Sequence, residues 1–169
     1  RYVRENAPQD LVIVSPDAGR VKVAERFAQH LSDLNADVAF INKRRPKGTT
    51  NVAIAKEVIG DVDGRLCILT DDMIDTGGTI VSAAELLLER GAKEVWAMAT
   101  HGVLSDPAVE RLSKSPISRV VLTNTLPLAP AKHFDKVEVL SVAKIIADAL
   151  AAVFDETSVS ELFDGENQS

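Results

Sequence analysis

Six short apolar runs alternate with longer stretches in which apolar residues recur at helical spacing. The runs occupy residues 11–14, 38–41, 66–69, 95–99, 120–122 and 137–140. Most are continuous rather than alternating, which predicts strands that are covered on both faces.

Three stretches between or after these runs carry apolar stripes typical of helices. The stripes are Val21, Ala24, Phe27, Ala28, Leu31 and Leu34; Ile80, Ala83, Ala84, Leu87 and Leu88; and Val142, Ile145, Ile146, Ala149, Leu150 and Val153. Gly91 follows the second stripe and is expected to end that helix. Strands that alternate with helices predict an α/β domain with a doubly wound, mainly parallel sheet over residues 1–154, followed by a tail at 155–169.

The amino-acid composition excludes several kinds of partner and an internal disulfide. The 169 residues include 19 Lys+Arg and 25 Asp+Glu, so the chain is acidic, with a formal charge of -6. An acidic surface repels nucleic-acid phosphates, and no apolar run approaches a membrane span, so neither nucleic acid nor membrane is an expected partner. The single Cys67 excludes an internal disulfide and fits a reducing cytoplasm.

Charged, polar and glycine residues cluster directly after four of the predicted strands. Ligands of such sheets bind at these strand ends. After the run at 66–69 come Asp71, Asp72 and Asp75, and then Thr76, Gly77, Gly78 and Thr79 at the start of a predicted helix. The glycines allow backbone amides to converge, and the threonines add hydroxyl donors, which predicts a cradle for one phosphate. Asp71 and Asp72 suit the hydroxyls of a vicinal diol, so the pattern indicates a sugar phosphate.

A simpler interpretation of this run is a surface turn in which Thr79 caps the following helix. Neither GxxxxGK[ST] nor GxGxxG occurs, so nothing in the sequence supports nucleotide binding of those two types.

Two other loops are expected at the same edge of the sheet. Residues 15–19 place Asp17 and Gly19 before a helix, which suits a metal-bridged diphosphate, although Asp17 alone is also typical of a helix cap. Residues 43–48 hold four cations in five positions, which suits charge neutralisation during phosphoryl transfer but also a solvated basic turn.

The run at 71–79, together with segments 14–19, 43–46, 100–102, 123–125 and 158–163, resembles the ribose-phosphate diphosphokinases, which have the type I phosphoribosyltransferase fold. The resemblance covers nearly the whole chain, but it matches only the C-terminal half of that family, so the N-terminal half of the parent enzyme is expected to be absent. The match departs at Arg20, where many members have a second glycine. Arg20 either adds a cation near the diphosphate or points to solvent.

The resemblance implies the transfer of diphosphate from ATP to the 1-hydroxyl of ribose 5-phosphate, with release of AMP. It assigns a catalytic role to Lys43, binding of phosphate and sugar to Arg45, and a magnesium ion to Asp17. Ribose 5-phosphate would bind through Asp71 and Asp72 at its hydroxyls and through residues 75–79 at its phosphate. The family also implies a homo-oligomer, a hexamer in full-length members, and we expect no synthetase activity from the 169 residues alone.

Two other functions use similar residues. A phosphoribosyltransferase would consume phosphoribosyl diphosphate with the same acidic run, but no segment is identified as its nucleobase hood. A non-catalytic homologue would be expected to lose charged site residues, which are all present here. The three histidines show no metal-ligand spacing. Asn124 either lines the site or closes a turn.

Overall fold

The structure is a computed structural model that describes residues 1–44 and 55–159, with only the backbone described at residues 43, 44 and 55. The strands are β1 Val12–Ser15, β2 Asp37–Arg44, β3 Ala55–Ile59, β4 Leu66–Ile74, β5 Glu94–Gly102, β6 Arg119–Thr123 and β7 Val137–Leu140. The helices are α1 Tyr2–Asn6, α2 Val21–Gln29, α3 Gly78–Glu89, α4 Ala108–Lys114 and α5 Ala143–Phe154.

The strands form one sheet in the order β3-β2-β1-β4-β5-β6-β7. Neighbouring strands are parallel except for β2 and β3, which are antiparallel. The order reverses direction between β1 and β4, which is the topological switch point where ligands bind in such sheets. The predicted α/β fold with a doubly wound, mainly parallel sheet is confirmed.

Strand β4 is longer than the apolar run predicted. The run ends at Leu69, but the strand continues to Ile74 because Asp71 pairs with Ala99, and Met73 with His101, on β5. The sequence pattern therefore wrongly placed Asp71 and Asp72 in a loop. Both lie within β4, and the main-chain pairing of Asp71 and Met73 with β5 fixes this part of the strand.

Other boundaries differ where local signals were weak. Helix α2 ends at Gln29, and a separate 3-10 turn at Ser32–Leu34 continues the apolar stripe that the sequence assigned to one helix. The short elements α1, β3 and α4 were not predicted, since each has seven residues or fewer and carries little periodic signal. Gly91 ends α3 as predicted, with a positive φ of 92°.

Two apolar layers cover the central strands. On one face Ile80, Ala84 and Leu87 of α3 join the buried side chains of the sheet. On the other, α2 contributes Ala24 and Ala28 against Trp96. The buried strands β1 and β4 are therefore held from both sides, as their continuous apolar runs predicted.

Cys67 lies in β4 and is fully buried. Burial raises the pKa of its thiol to about 12, so the thiolate is scarce at neutral pH. Cys67 is therefore a core residue.

Helix α5 forms where the third stripe predicted it, but its apolar face is open. Ile145, Ile146 and Leu150 are each more than half exposed, and only Ala152 is buried. In the described ranges, no helix has both the length and the apolar character needed to cross a bilayer.

Candidate functional site

A cavity of about 290 Å³ opens at the carboxyl end of β4, where the strand turns into α3. Residues 73–80, Asp71 and Asp17 line it. The acidic strand end, the glycine turn and the loop after β1 therefore meet at one place. This is the juxtaposition that the sequence predicted for these three features.

The glycine turn leaves helix amides free to bind an anion. Gly77 is the N-cap of α3, with a positive φ of 73° that only glycine adopts without strain. Within residues 1–44 and 55–159 no side chain caps this helix, so its first N–H groups have no side-chain partner there. The simpler interpretation, in which Thr79 caps the helix, is wrong.

Arg111 supports the turn from outside and was missed by the sequence analysis. Its Nη1 donates a hydrogen bond to the carbonyl oxygen of Thr76 at 2.6 Å. A Cβ added at Gly78 would lie 3.2 Å from the same nitrogen, so a side chain there would crowd the guanidinium. No local pattern points to Arg111, because it reaches the turn from α4, 35 residues along the chain.

The neighbouring carboxylates of Asp71 and Asp72 have different environments. Burial, followed by a hydrogen bond with Asp72, raises the pKa of Asp71 above its ordinary value. The hydrogen bond with Asp71 lowers the pKa of Asp72, and the nearby Arg20 guanidinium lowers it further. One partly buried carboxylate therefore lies beside one that is largely exposed to solvent.

Arg20, for which the sequence left two possibilities open, pairs with carboxylates at the end of β4. Its Nη2 lies 2.5 Å from Oδ2 of Asp72, and its Nη1 lies 3.5 Å from Oδ1 of Asp71. The guanidinium thus connects the loop after β1 to the end of β4.

Asp17 has both a capping contact and access to the cavity. Its Oδ1 accepts a hydrogen bond from the Gly19 amide at 2.8 Å, so the capping interpretation is confirmed. The buried Ser15 hydroxyl donates to the Asp17 carbonyl at 2.7 Å, which fixes the loop backbone. Asp17 also lines the cavity, so it lies close to any ligand bound there.

The basic loop is only partly described. Lys43 lies near the end of β2 and pairs through its backbone with Lys56 of β3. Arg45 lies outside the described residues. Their predicted roles in catalysis and in phosphate binding stay predictions.

Two other polar residues at this edge have structural partners. The Asn124 side-chain oxygen accepts a hydrogen bond from the Val142 amide at 2.9 Å and so closes the connection before α5. His101 Nδ1 lies 2.9 Å from the Thr125 hydroxyl. The first contact favours the interpretation that Asn124 closes a turn, and the second gives His101 a partner on the neighbouring loop.

A larger cavity of about 610 Å³ lies at the opposite end of the sheet. There Arg65 binds the carbonyl oxygens of Asp10 and Leu11 and pairs with Asp37 at 2.7 Å. The Arg65 guanidinium is therefore already paired with groups at the amino ends of the strands. We therefore place the candidate site at the carboxyl edge, where ligands of doubly wound sheets bind.

Residues 34–164 match the sequence family described as the phosphoribosyl synthetase-associated domain. The chain belongs to this family. Among curated members, the ribose-phosphate pyrophosphokinase of Clostridium acetobutylicum is 49% identical over 98% of this chain and 50% of its own length. The enzyme of the same name from Streptomyces coelicolor is 53% identical over 91% of this chain and 47% of its own length.

A solved structure is also similar to this chain in fold and in sequence. The phosphoribosylpyrophosphate synthetase from Mycobacterium smegmatis superposes with a TM-score of 0.82 at 49% identity, covering 92% of this chain and 49% of the other. The resemblance that the sequence motifs indicated is confirmed. The chain spans about half the length of the relatives it matches.

Proposed function

We propose that this chain carries the ribose 5-phosphate site of a ribose-phosphate diphosphokinase. The observation that supports this most directly is the single cavity shared by the uncapped α3 amides, Asp71 and Asp17. One ligand that has a phosphate at one end and hydroxyls at the other satisfies both the amides and the carboxylates.

In this arrangement the 5-phosphate lies on residues 75–79, where the Gly77 turn directs main-chain amides and the Thr76 and Thr79 hydroxyls lie close by. Asp71 and Asp72 accept hydrogen bonds from the ribose hydroxyls. This orientation leaves the 1-hydroxyl free to react.

The proposed reaction transfers a diphosphoryl group. The 1-hydroxyl oxygen of ribose 5-phosphate forms a bond to the β-phosphorus of ATP and loses its proton. The bond between that phosphorus and the oxygen bridging it to the α-phosphorus breaks, and AMP leaves. Charge grows on the transferred oxygens, so cations close to them lower the barrier, and we assign this role to Lys43 and Arg45.

Magnesium fits the residues in one specific way. Within the described part of the chain no group of three or more His, Cys, Asp or Glu side chains could hold a metal. Mg²⁺, however, commonly uses one or two carboxylates together with substrate phosphates and water. Asp17, at the edge of the cavity, is the carboxylate we propose for it, and the ion would neutralise charge on the diphosphate.

The family resemblance further supports a cytoplasmic homo-oligomer, a hexamer in full-length members. The phosphoribosyltransferase and non-catalytic alternatives gain no support from the site. The curated relatives quoted above are both named as pyrophosphokinases.

Product analysis tests the proposed reaction. The purified full-length protein is incubated with ATP, ribose 5-phosphate and Mg²⁺, and the products are followed by phosphorus NMR. We expect AMP and phosphoribosyl diphosphate in equal amounts, and neither without ribose 5-phosphate. Formation of ADP, or consumption of added phosphoribosyl diphosphate with a nucleobase, would identify a different enzyme.

Replacement of Asp71 by alanine should act mainly on sugar affinity. Loss of a charge-assisted hydrogen bond to the ribose hydroxyls predicts a KM for ribose 5-phosphate about tenfold higher, with the KM for ATP nearly unchanged. Steady-state kinetics with each substrate varied in turn measures both values. Glu110→Ala, which removes an exposed acidic side chain on α4, is the control. An equal rise in both KM values for Asp71→Ala would contradict the assignment.

A further inference from the structure

Arg20 lies at a junction between two parts of the site. It is the last residue of the 3-10 turn Ala18–Arg20, which follows Asp17 and leads into α2. From there its guanidinium reaches the end of β4 and pairs with two consecutive carboxylates, those of Asp72 and Asp71. One cation therefore faces the two groups to which we assign the ribose hydroxyls.

The pairing does not use up the acceptors of these carboxylates. In the described structure, the hydrogen bond from Arg20 to Asp72 is directed to Oδ2, and the closest approach to Asp71 is at Oδ1, which also accepts the Asp72 amide at 2.8 Å. The two oxygens of a carboxylate offer about four lone-pair sites, so both groups retain acceptor positions beside these contacts and the hydrogen bond between them. A ligand hydroxyl can therefore bind to both groups without displacing the guanidinium.

The charges of the three side chains also favour a guanidinium shared between the two carboxylates. Two ionised carboxylates on adjacent residues repel each other, and the repulsion is strongest when one of them is partly buried. The side chain of Asp71 is 23% exposed and that of Asp72 is 54% exposed. A shared cation offsets this repulsion, so both groups remain acceptors and hold a fixed geometry.

We infer that Arg20 is a positioning residue that holds Asp71 and Asp72 as a paired acceptor for the vicinal hydroxyls of a pentose 5-phosphate. The inference rests on the proposed function, since it deepens the description of the same site. Among the described residues, Arg20 forms ion pairs with Asp71 and Asp72 and none with residues 75–79, so it acts through the two carboxylates. Its removal should therefore weaken recognition of the diol alone.

Three ligands separate this role from a general structural one. Calorimetric titration of the full-length protein is carried out with ribose 5-phosphate, with 2-deoxyribose 5-phosphate, which lacks the vicinal diol, and with inorganic phosphate. For Arg20→Gln we expect about tenfold weaker binding of ribose 5-phosphate, from the loss of oriented charged acceptors, and less than about twofold change for the other two ligands. Lys22→Gln, an equal charge change at an exposed position two residues further on, should bind all three normally.

A lysine variant keeps the test decisive if the glutamine variant does not fold. Arg20→Lys retains the charge but lacks the planar fork that reaches two carboxylates, so we expect a loss of roughly threefold for ribose 5-phosphate only. Equal weakening of all three ligands, no change, or tighter binding of ribose 5-phosphate in either variant would overturn the inference. If the unmodified protein binds neither ribose 5-phosphate nor phosphate, the proposed function itself fails, which is a separate result.

Discussion

Replacement of Lys43 by alanine is expected to lower kcat by roughly a hundred- to a thousandfold, the range seen when one preorganised donor to a developing anion is removed. Lys43 lies on β2, beside β1 at the carboxyl edge of the sheet, and the family resemblance assigns it the catalytic role. Because the cation is proposed to act on charge that develops during transfer, the KM for ribose 5-phosphate should change little.

Steady-state kinetics, measured by AMP formation, gives kcat and the KM for ribose 5-phosphate. Lys93→Ala is the matched control, since Lys93 is an exposed lysine that immediately precedes β5 at the opposite edge of the sheet. Lys93→Ala should keep full turnover. Unchanged turnover in Lys43→Ala, or a loss confined to KM, would remove Lys43 from the catalytic role.

Replacement of Gly77 by alanine should weaken ribose 5-phosphate binding by about a hundredfold, through the loss of one or two charge-assisted hydrogen bonds from the turn. At φ of 73° an alanine is strained, while Leu112 lies 3.4 Å from the added Cβ. The turn relieves the strain most easily by rotating the peptide between Gly77 and Gly78. That rotation moves the amides away from the cavity.

Gly64→Ala provides the matched control for this strain. Gly64 has a similar φ of 68°, has no atoms within 4 Å of an added Cβ, and precedes the amino end of β4, whereas the site lies at the carboxyl end of that strand. Both variants should lose a similar amount of stability, about 1 kcal/mol from the left-handed backbone. Calorimetric binding and thermal unfolding should therefore show equal destabilisation but a loss of affinity in Gly77→Ala alone. Normal affinity in Gly77→Ala would argue against the amide cradle.

The fold was largely predictable because the central strands are buried on both faces and so carry continuous apolar runs. Strand β1 is fully buried along its length, and its position followed directly from the sequence. The extension of β4 was not predictable in this way. Asp71 and Asp72 are polar residues in a strand segment that β5 holds through Asp71 and Met73, and pairing between strands leaves no trace in local hydrophobicity.

The site residues likewise include some that local sequence predicts and some that only tertiary packing reveals. Gly77 and the threonines follow a buried strand and begin a helix, so local sequence was enough to predict the turn and its amides. Arg20 and Arg111 reach the site from other elements, 52 and 35 residues away from their partners. Such contacts depend on tertiary packing, which a single sequence does not reveal.

The continuation of β4 through the acidic residues has a consequence for substrate length. Asp71 is fixed by main-chain pairing to Ala99, and the turn that begins at Thr76 is held from outside by Arg111. The backbone therefore fixes the distance between the two ends of the pocket. In the proposed site, a sugar phosphate with an additional carbon between ring and phosphate would be too long to place its hydroxyls at Asp71 and its phosphate at the turn together, so we expect it to bind more weakly than ribose 5-phosphate.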